Sequence, residues 1–257
     1  MKNIYSPRRI PVYLLCMLVT LIFAGCSSND DPPVIPPPVY DMNELYARAI
    51  QDAMVADSSK ASDALWPIKA GTPDVQFKTI NGQSYVLMAT FMRFPGSYPE
   101  KDSITNVWGE SWLFIPQQMK GRIGPGFTPA SDTILRISQL LGLPPVNSKS
   151  NTHIAQIWVK VDSLYRPAGN PAIDTKSAGP VLVPGVTANY ANWFNNYIIF
   201  AYYRPLGKTD YHYPWTRMGY TYDWAPNASR VGLSEYVVKP NSGMWVEKVT
   251  TASGFFK

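Results

Sequence analysis

Residues 75–91 read VQFKTINGQSYVLMATF, and they predict a β-hairpin around which the rest of the chain is organised. Val75–Ile80 and Gln83–Phe91 are rich in β-branched and aromatic residues, as strands are. Between them stands Asn81-Gly82, a dipeptide suited to a two-residue hairpin turn because both positions need a positive φ. We therefore expect antiparallel strand pairing near the start of the folded region.

Segments on both sides of this hairpin extend it into a domain. Three have apolar residues at helical spacing: Met42–Ala56 behind the capping pair Asp41 and Glu44, the segment from Ser131 or Asp132 to Leu141, and Thr187–Tyr203, whose second half has a strand as its alternative. The predicted strands are Val107–Ile115, Ile154–Val161, and a closing hairpin of Leu233–Lys239 with Met244–Val249. Helices interspersed with hairpins predict an α+β fold, a single domain over residues 42–257 with an antiparallel or mixed sheet.

The N-terminus has the pattern of an exported, lipid-anchored protein. Three basic residues precede an apolar run, Ile10–Phe23, which is too short to cross a hydrocarbon core of about 30 Å. Leu21-Ile22-Phe23-Ala24-Gly25-Cys26 closes the run and resembles a bacterial lipobox. This resemblance implies that residues 1–25 are a signal peptide and that Cys26 is lipidated, which makes palmitate incorporation and a membrane anchor the expected properties. An ordinary signal peptide with a coincidental cysteine is the alternative.

Residues 26–41 are predicted to be a tether that starts at the lipidated cysteine. Five prolines within residues 27–41 favour extended polyproline geometry, which at ~3.1 Å per residue reaches up to roughly 45 Å from the bilayer. The polar, acidic Ser27–Asp31 resembles the surface-export signal of Bacteroidetes lipoproteins. This resemblance implies an outer-membrane protein that faces the cell exterior. A solvated spacer without targeting information is the alternative.

Composition excludes several classes of function once the signal peptide is removed. The whole chain has 23 basic and 18 acidic residues, but three of the basic ones lie within residues 1–25, which leaves 20 against 18. We therefore expect no nucleic-acid partner. Cys16 and Cys26 are the only cysteines, so lipidation of Cys26 leaves no thiol for a disulfide, a nucleophile or a metal. With only two histidines as well, neither a metal site nor a cofactor is expected.

Aromatic residues are concentrated between Tyr190 and Trp224, where 13 of 35 residues are Phe, Trp or Tyr. Aromatic faces stack on the apolar faces of sugar rings, and Tyr and Trp add a polar edge that can bind hydroxyls. The segment is therefore a candidate contact region for a glycan or protein ligand. The candidate ligand-binding residues are Tyr211, Tyr213, Trp215 and Trp224. Core packing is the alternative role, since aromatic residues are also common in protein interiors.

Three short blocks occur in an order that resembles ADP-ribosyltransferase-like folds. They are Leu164-Tyr165-Arg166, Gly219-Tyr220-Thr221-Tyr222, and SEYVVKP at residues 234–240. The resemblance implies that Arg166 pairs with a pyrophosphate, that Tyr220 or Tyr222 stacks on nicotinamide, and that Glu235 stabilises an oxocarbenium-like centre. The chain departs from the pattern at Leu233, where a second acid would stand. Structural ion-pair or cap roles for Arg166 and Glu235 are the alternative.

Other catalytic patterns give weaker indications, so whether the chain is an enzyme stays open. There is no G-x-S-x-G nucleophile motif, and Gly121–Gly126 is predicted to be a turn rather than a phosphate loop. A glycan-active hydrolase would need a carboxylate pair. Its candidates are Asp162, Asp174, Asp210, Asp223 and Glu235, and their spacing selects no two of them.

The C-terminal half of the chain is similar to an uncharacterised family of bacterial exported proteins. Three blocks carry this similarity: RISQLLGLPP at residues 136–145, HIAQIWVKVDSLYRP at 153–167, and YPWTRMGYTYDWAPNASRVGLSEYVV at 213–238. The resemblance implies export and adds no activity.

Overall fold

The hairpin predicted around Asn81 and Gly82 is present. A computed structural model describes residues 39–128 and 130–257; the predicted signal peptide, Cys26 and all but the last residues of the tether lie outside the described residues. Phe77–Ile80 and Gln83–Met92 pair antiparallel across the turn. Asn81 and Gly82 have φ angles of +49° and +73°, the left-handed geometry that a two-residue hairpin turn requires.

Ten strands in the described part of the chain form three sheets, and all of the strand pairs are antiparallel. The strands are β1 (Phe77–Ile80), β2 (Gln83–Met92), β3 (Ser103–Thr105), β4 (Ser111–Leu113), β5 (His153–Lys160), β6 (Leu164–Tyr165), β7 (Tyr220–Tyr222), β8 (Val231–Ser234), β9 (Tyr236–Val238) and β10 (Gly243–Thr251). The largest sheet has the order β1-β2-β5-β10-β3, the second β4-β9-β6, and the third pairs β7 with β8.

Two strand predictions are corrected by this topology. The expected closing hairpin is wrong, because β9 pairs with β4 and β6 whereas β10 pairs with β5 and β3. The turn at residues 239–242 therefore connects two different sheets. The expected strand Val107–Ile115 is reduced to β4, and Val107 is 75% exposed in a turn that precedes it.

Four α-helices lie in the described residues: α1 (Met42–Met54), α2 (Pro116–Ile123), α3 (Thr133–Leu140) and α4 (Ala188–Tyr202). Side-chain oxygens cap the N-termini of α1, α3 and α4. In these helices Asp41, Asp132 and Thr187, respectively, accept hydrogen bonds from backbone N–H groups of the first turn. The prediction of a helix over the whole of α4 is confirmed. Helix α2 was not predicted, and it replaces the expected turn at Gly121–Ile123.

The hydrophobic core lies on both faces of the largest sheet. One face packs against the second sheet, and the other packs against α2 and α3. The first cluster includes Val86, Met88, Ile157, Val159 and Val246 with Leu113, Tyr236 and Val238. The second includes Ala89, Phe91 and Ile154 with Met119, Ile123, Ile137 and Leu140. Residues 40–257 form one compact unit, so the predicted α+β class and single domain are confirmed.

No helix among residues 39–128 and 130–257 combines the length and apolar character needed to cross a membrane.

Candidate ligand-binding site

A cavity of about 530 Å³ opens between α4, β4 and the segment that leads into β7. Its volume lies within the range of about 300–1,000 Å³ that is typical of small-molecule sites. Aromatic side chains from distant parts of the sequence supply much of its wall. They include Trp112, Tyr197, Phe200, Tyr213, Trp215 and Tyr222.

The aromatic walls are fixed by ring-to-ring contacts. Tyr197 is central, because its ring makes a T-shaped contact with Trp215 at a centroid distance of 4.8 Å and a tilted contact with Trp112 at 5.0 Å. Phe200 and Tyr213 lie nearly parallel, with an interplanar angle of 12°. Such contacts add about 0.5–1.5 kcal/mol per pair beyond the burial of apolar area. The cavity therefore has a wall that is largely formed before any ligand enters.

Glu235 reaches this cavity because it stands between β8 and β9. Strand β8 pairs with β7 in the third sheet and β9 belongs to the second, so Glu235 lies where the chain passes from one sheet to the other. Its own N–H donates to the Gly219 carbonyl over 3.0 Å, which ties this crossing point to the start of β7. The residue lines the cavity.

The Glu235 carboxyl is buried, and one of its two oxygens has no hydrogen-bond partner among the described residues. This oxygen, Oε2, is inaccessible, and the whole residue is 9% exposed. Burial raises the pKa of Glu235 to about 8, and the positive charge of Arg166 opposes this shift only in part. The carboxyl is therefore mostly neutral at pH 7, and it can both donate and accept a hydrogen bond.

Arg166 lies behind this site rather than in it. The residue is completely buried, and its guanidinium donates to backbone carbonyls of Ala172, Ile173, Thr175 and Gly219 over 2.9–3.4 Å. The group has no surface left with which to touch a pyrophosphate, so the expected anion contact has no place in this structure. Arg166 instead joins the loop after β6 to the start of β7.

Tyr220 and Tyr222 do line the cavity together with Glu235. The Tyr220 hydroxyl donates to the Lys60 carbonyl over 2.8 Å, and the Tyr222 hydroxyl donates to Asp52 over 3.0 Å. Because the protein already uses both hydroxyls, these residues offer ring surface rather than new polar contacts. Of the ordered set Arg166, Tyr220, Tyr222 and Glu235, the structure thus brings the last three around one cavity.

The four aromatic candidates for ligand binding divide into two pairs. Tyr213 and Trp215 line the cavity. Tyr211 and Trp224 instead pack edge-on against Tyr46 of α1, at centroid distances of 5.9 and 5.5 Å. The second pair docks a helix onto the domain, and Trp224 also donates from its ring N–H to the Leu143 carbonyl over 2.9 Å. Two of the four candidate residues therefore belong to a cavity wall, and the other two pack against a helix rather than forming an exposed platform.

Glu110 is a cavity residue that sequence reasoning missed. It lies immediately before β4 and lines both this cavity and a second, more open one of about 810 Å³. Burial raises the pKa of Glu110, and hydrogen bonding with Trp193 and Tyr165 opposes the shift. Nothing in its immediate sequence marks it, since it belongs to the region that was expected to be one continuous strand.

The other acidic candidates lie away from the cavity wall. Asp223 forms a two-bond ion pair with Arg136, with N–O distances of 2.9 and 2.7 Å, and so joins α3 to the end of β7. Asp162, Asp174 and Asp210 do not line either cavity. The described residues contain no group of three or more His, Cys, Asp or Glu side chains placed to hold a metal ion.

The family resemblances inferred from the sequence stay predictions after comparison with known proteins. No protein-family model, no curated protein and no solved structure matches this chain.

Proposed function

We propose that this chain is a surface-exposed lipoprotein that binds a glycan through the aromatic cavity. One observation carries the proposal: aromatic rings from β4, α4 and the segment before β7 converge on a single cavity of ligand-binding size, with the Glu235 carboxyl in its wall. Aromatic faces suit the C–H faces of a sugar ring, whereas a neutral carboxylic acid suits its hydroxyls. A protein segment that presents an exposed sugar or aromatic group would make the same contacts with the cavity wall.

Loss of one wall ring tests the binding proposal. We expect Tyr213→Ala to weaken glycan binding by roughly tenfold, because it removes a ring that lies parallel to Phe200 in the cavity wall. Tyr203→Ala is the matched control, since Tyr203 is 61% exposed and does not line the cavity. Binding of the purified full chain to an array of oligosaccharides measures the effect. Failure of the unaltered chain to bind any glycan would remove the proposal.

The membrane anchor has its own test, because its support is the lipobox pattern ending at Cys26. Labelled palmitate is expected to enter the protein in cells and to be absent from Cys26→Ser. Protease added to intact cells is expected to degrade the domain if it faces the exterior. Label that persists in Cys26→Ser would refute the anchor, and full protection from external protease would refute surface exposure.

The two enzyme alternatives have less support than binding. An ADP-ribosyltransferase-like or NAD-cleaving reaction needs a cation for the pyrophosphate, and Arg166 has no accessible surface. Glycan hydrolysis has one observation in its favour, because Glu235 and Glu110 line the same cavity. It stays a hypothesis, since the Glu110 carboxyl is engaged by Trp193 and Tyr165.

A further inference from the structure

The charges around the cavity favour one class of ligand. Its lining contains two acidic residues, Glu110 and Glu235, and no Lys, Arg or His among the described residues. Resting on the glycan-binding function proposed above, we infer that the cavity selects a ring ligand that carries a protonated amine, with Glu235 as the counter-ion of that amine.

Within the described part of the chain, the Glu235 carboxyl lacks a partner that a buried acid normally has. A buried carboxyl is normally paired or hydrogen-bonded, yet its Oε2 atom has no partner. Arg166 is the cation whose charge acts on it, but the Arg166 N–H groups already donate to backbone carbonyls such as those of Ala172 and Thr175. Because Oε2 itself is inaccessible, an ammonium group in the cavity would meet the carboxylate at its other oxygen, Oε1, and would stabilise the charge that both oxygens share.

The aromatic walls of the cavity also suit a cation. Tyr197, Trp215 and Tyr213 present aromatic rings to the same space, and aromatic faces attract cations. One wall ring already carries such a contact on this domain, since the Arg204 guanidinium lies 4.4 Å from the centroid of Phe200. Aromatic rings combined with a carboxylate form the type of site that recognises ammonium groups.

Binding of an ammonium ligand changes the number of protons that the protein holds. Burial keeps the pKa of free Glu235 near 8, so the group carries a proton at pH 7. An ammonium beside it favours the ionised form, and binding must therefore release roughly 0.9 proton per ligand at pH 7. Among the described residues, the other titratable or charged groups that face Glu235 are Arg166, Tyr197 and Tyr202, and Glu110 shares the cavity; burial raises the pKa of both tyrosines, so they stay neutral at this pH.

Two matched probes test this inference on the purified full chain: 2-aminoethyl glucoside and 2-hydroxyethyl glucoside. The alkyl ammonium keeps its charge between about pH 6 and 8, as a lysine side chain does. We expect the amine to bind at least about tenfold tighter at pH 8, and its affinity to fall roughly 50-fold toward pH 6 as Glu235 takes up its proton. Calorimetry at pH 7 in buffers of different ionisation enthalpy measures the released proton.

Two variants separate a specific effect from a general one. Glu235→Gln is expected to abolish the preference for the amine and the proton release, so that the two probes bind this variant with similar affinity. Glu44→Gln is the control, because Glu44 is exposed at the start of α1 and pairs only with Arg48. Equal affinity for both probes, or a preference that persists in Glu235→Gln, would overturn the inference but leave glycan binding intact. Binding of neither probe, nor of any oligosaccharide, would overturn both proposals.

Discussion

Glu235→Gln is expected to raise the free energy of unfolding at pH 8 by about 3 kcal/mol and to flatten its dependence on pH. The folded state holds the Glu235 proton up to a pKa of about 8, against an ordinary value of 4.5. Between these two values the unfolded chain releases a proton that the folded chain keeps. Stability is therefore lost as the pH rises through this window, at up to about 1.4 kcal/mol per unit.

The expected gain in the free energy of unfolding of Glu235→Gln is smaller than the full pKa shift of Glu235 would give. Glutamine is neutral at every pH and removes the cost of ionising a buried group, but it leaves an amide without a protein partner in the place of Oε2. Below about pH 5 the advantage is expected to disappear, because the unfolded glutamate is then protonated as well. Urea denaturation of the ligand-free protein at several pH values measures both effects.

Glu44→Gln is the matched control for this measurement. Glu44 is exposed and pairs with Arg48 one turn away on α1, an arrangement that contributes at most about 0.5 kcal/mol. We expect this variant to follow the unaltered protein at every pH. If Glu235→Gln and the unaltered protein lost stability with the same slope, Glu235 would not be the buried acid that the structure indicates.

Local signals predicted those elements whose geometry is fixed by their own residues. Asn81-Gly82 demands a turn with positive φ angles, and Asp132 and Thr187 cap the helices that follow them. The prediction of a closing hairpin was wrong for the converse reason. A turn between β9 and β10 does not decide which strands they pair with, and both find their partners far away in the sequence.

The residues of the candidate site could be predicted from the sequence only in part. Glu235 and the two tyrosines of β7 were identified through the order of short blocks, and pairing of β7 with β8 does bring them together. The burial of Arg166 could not be predicted, because it depends on carbonyls from the loop at residues 172–175. Glu110 was missed since its position in the cavity follows from the pairing of β4 with β9.

Arg166→Met is expected to lower the free energy of unfolding by about 3–5 kcal/mol, the largest loss predicted here for a single side chain. The guanidinium is fully buried and satisfies carbonyls of Ala172, Ile173, Thr175 and Gly219, which would lose their donor together. Arg166→Lys is expected to be almost as damaging, because one ammonium cannot reproduce the planar set of five donors. Chemical denaturation at pH 7 measures the loss.

Two further variants show whether the stability lost in Arg166→Met is specific to its buried charge. Arg93→Met is expected to cost less than about 1 kcal/mol, since Arg93 is exposed and only lies over the Phe94 ring. At pH 9, where Glu235 ionises in the folded protein, Arg166→Met combined with Glu235→Gln is expected to lose less stability than the two changes would predict by addition, because loss of the Arg166 charge raises the pKa of Glu235 further and increases the cost of ionising it. Strict additivity at pH 9, or a loss in Arg166→Met no larger than in Arg93→Met, would show that Arg166 does not support the cavity electrostatically.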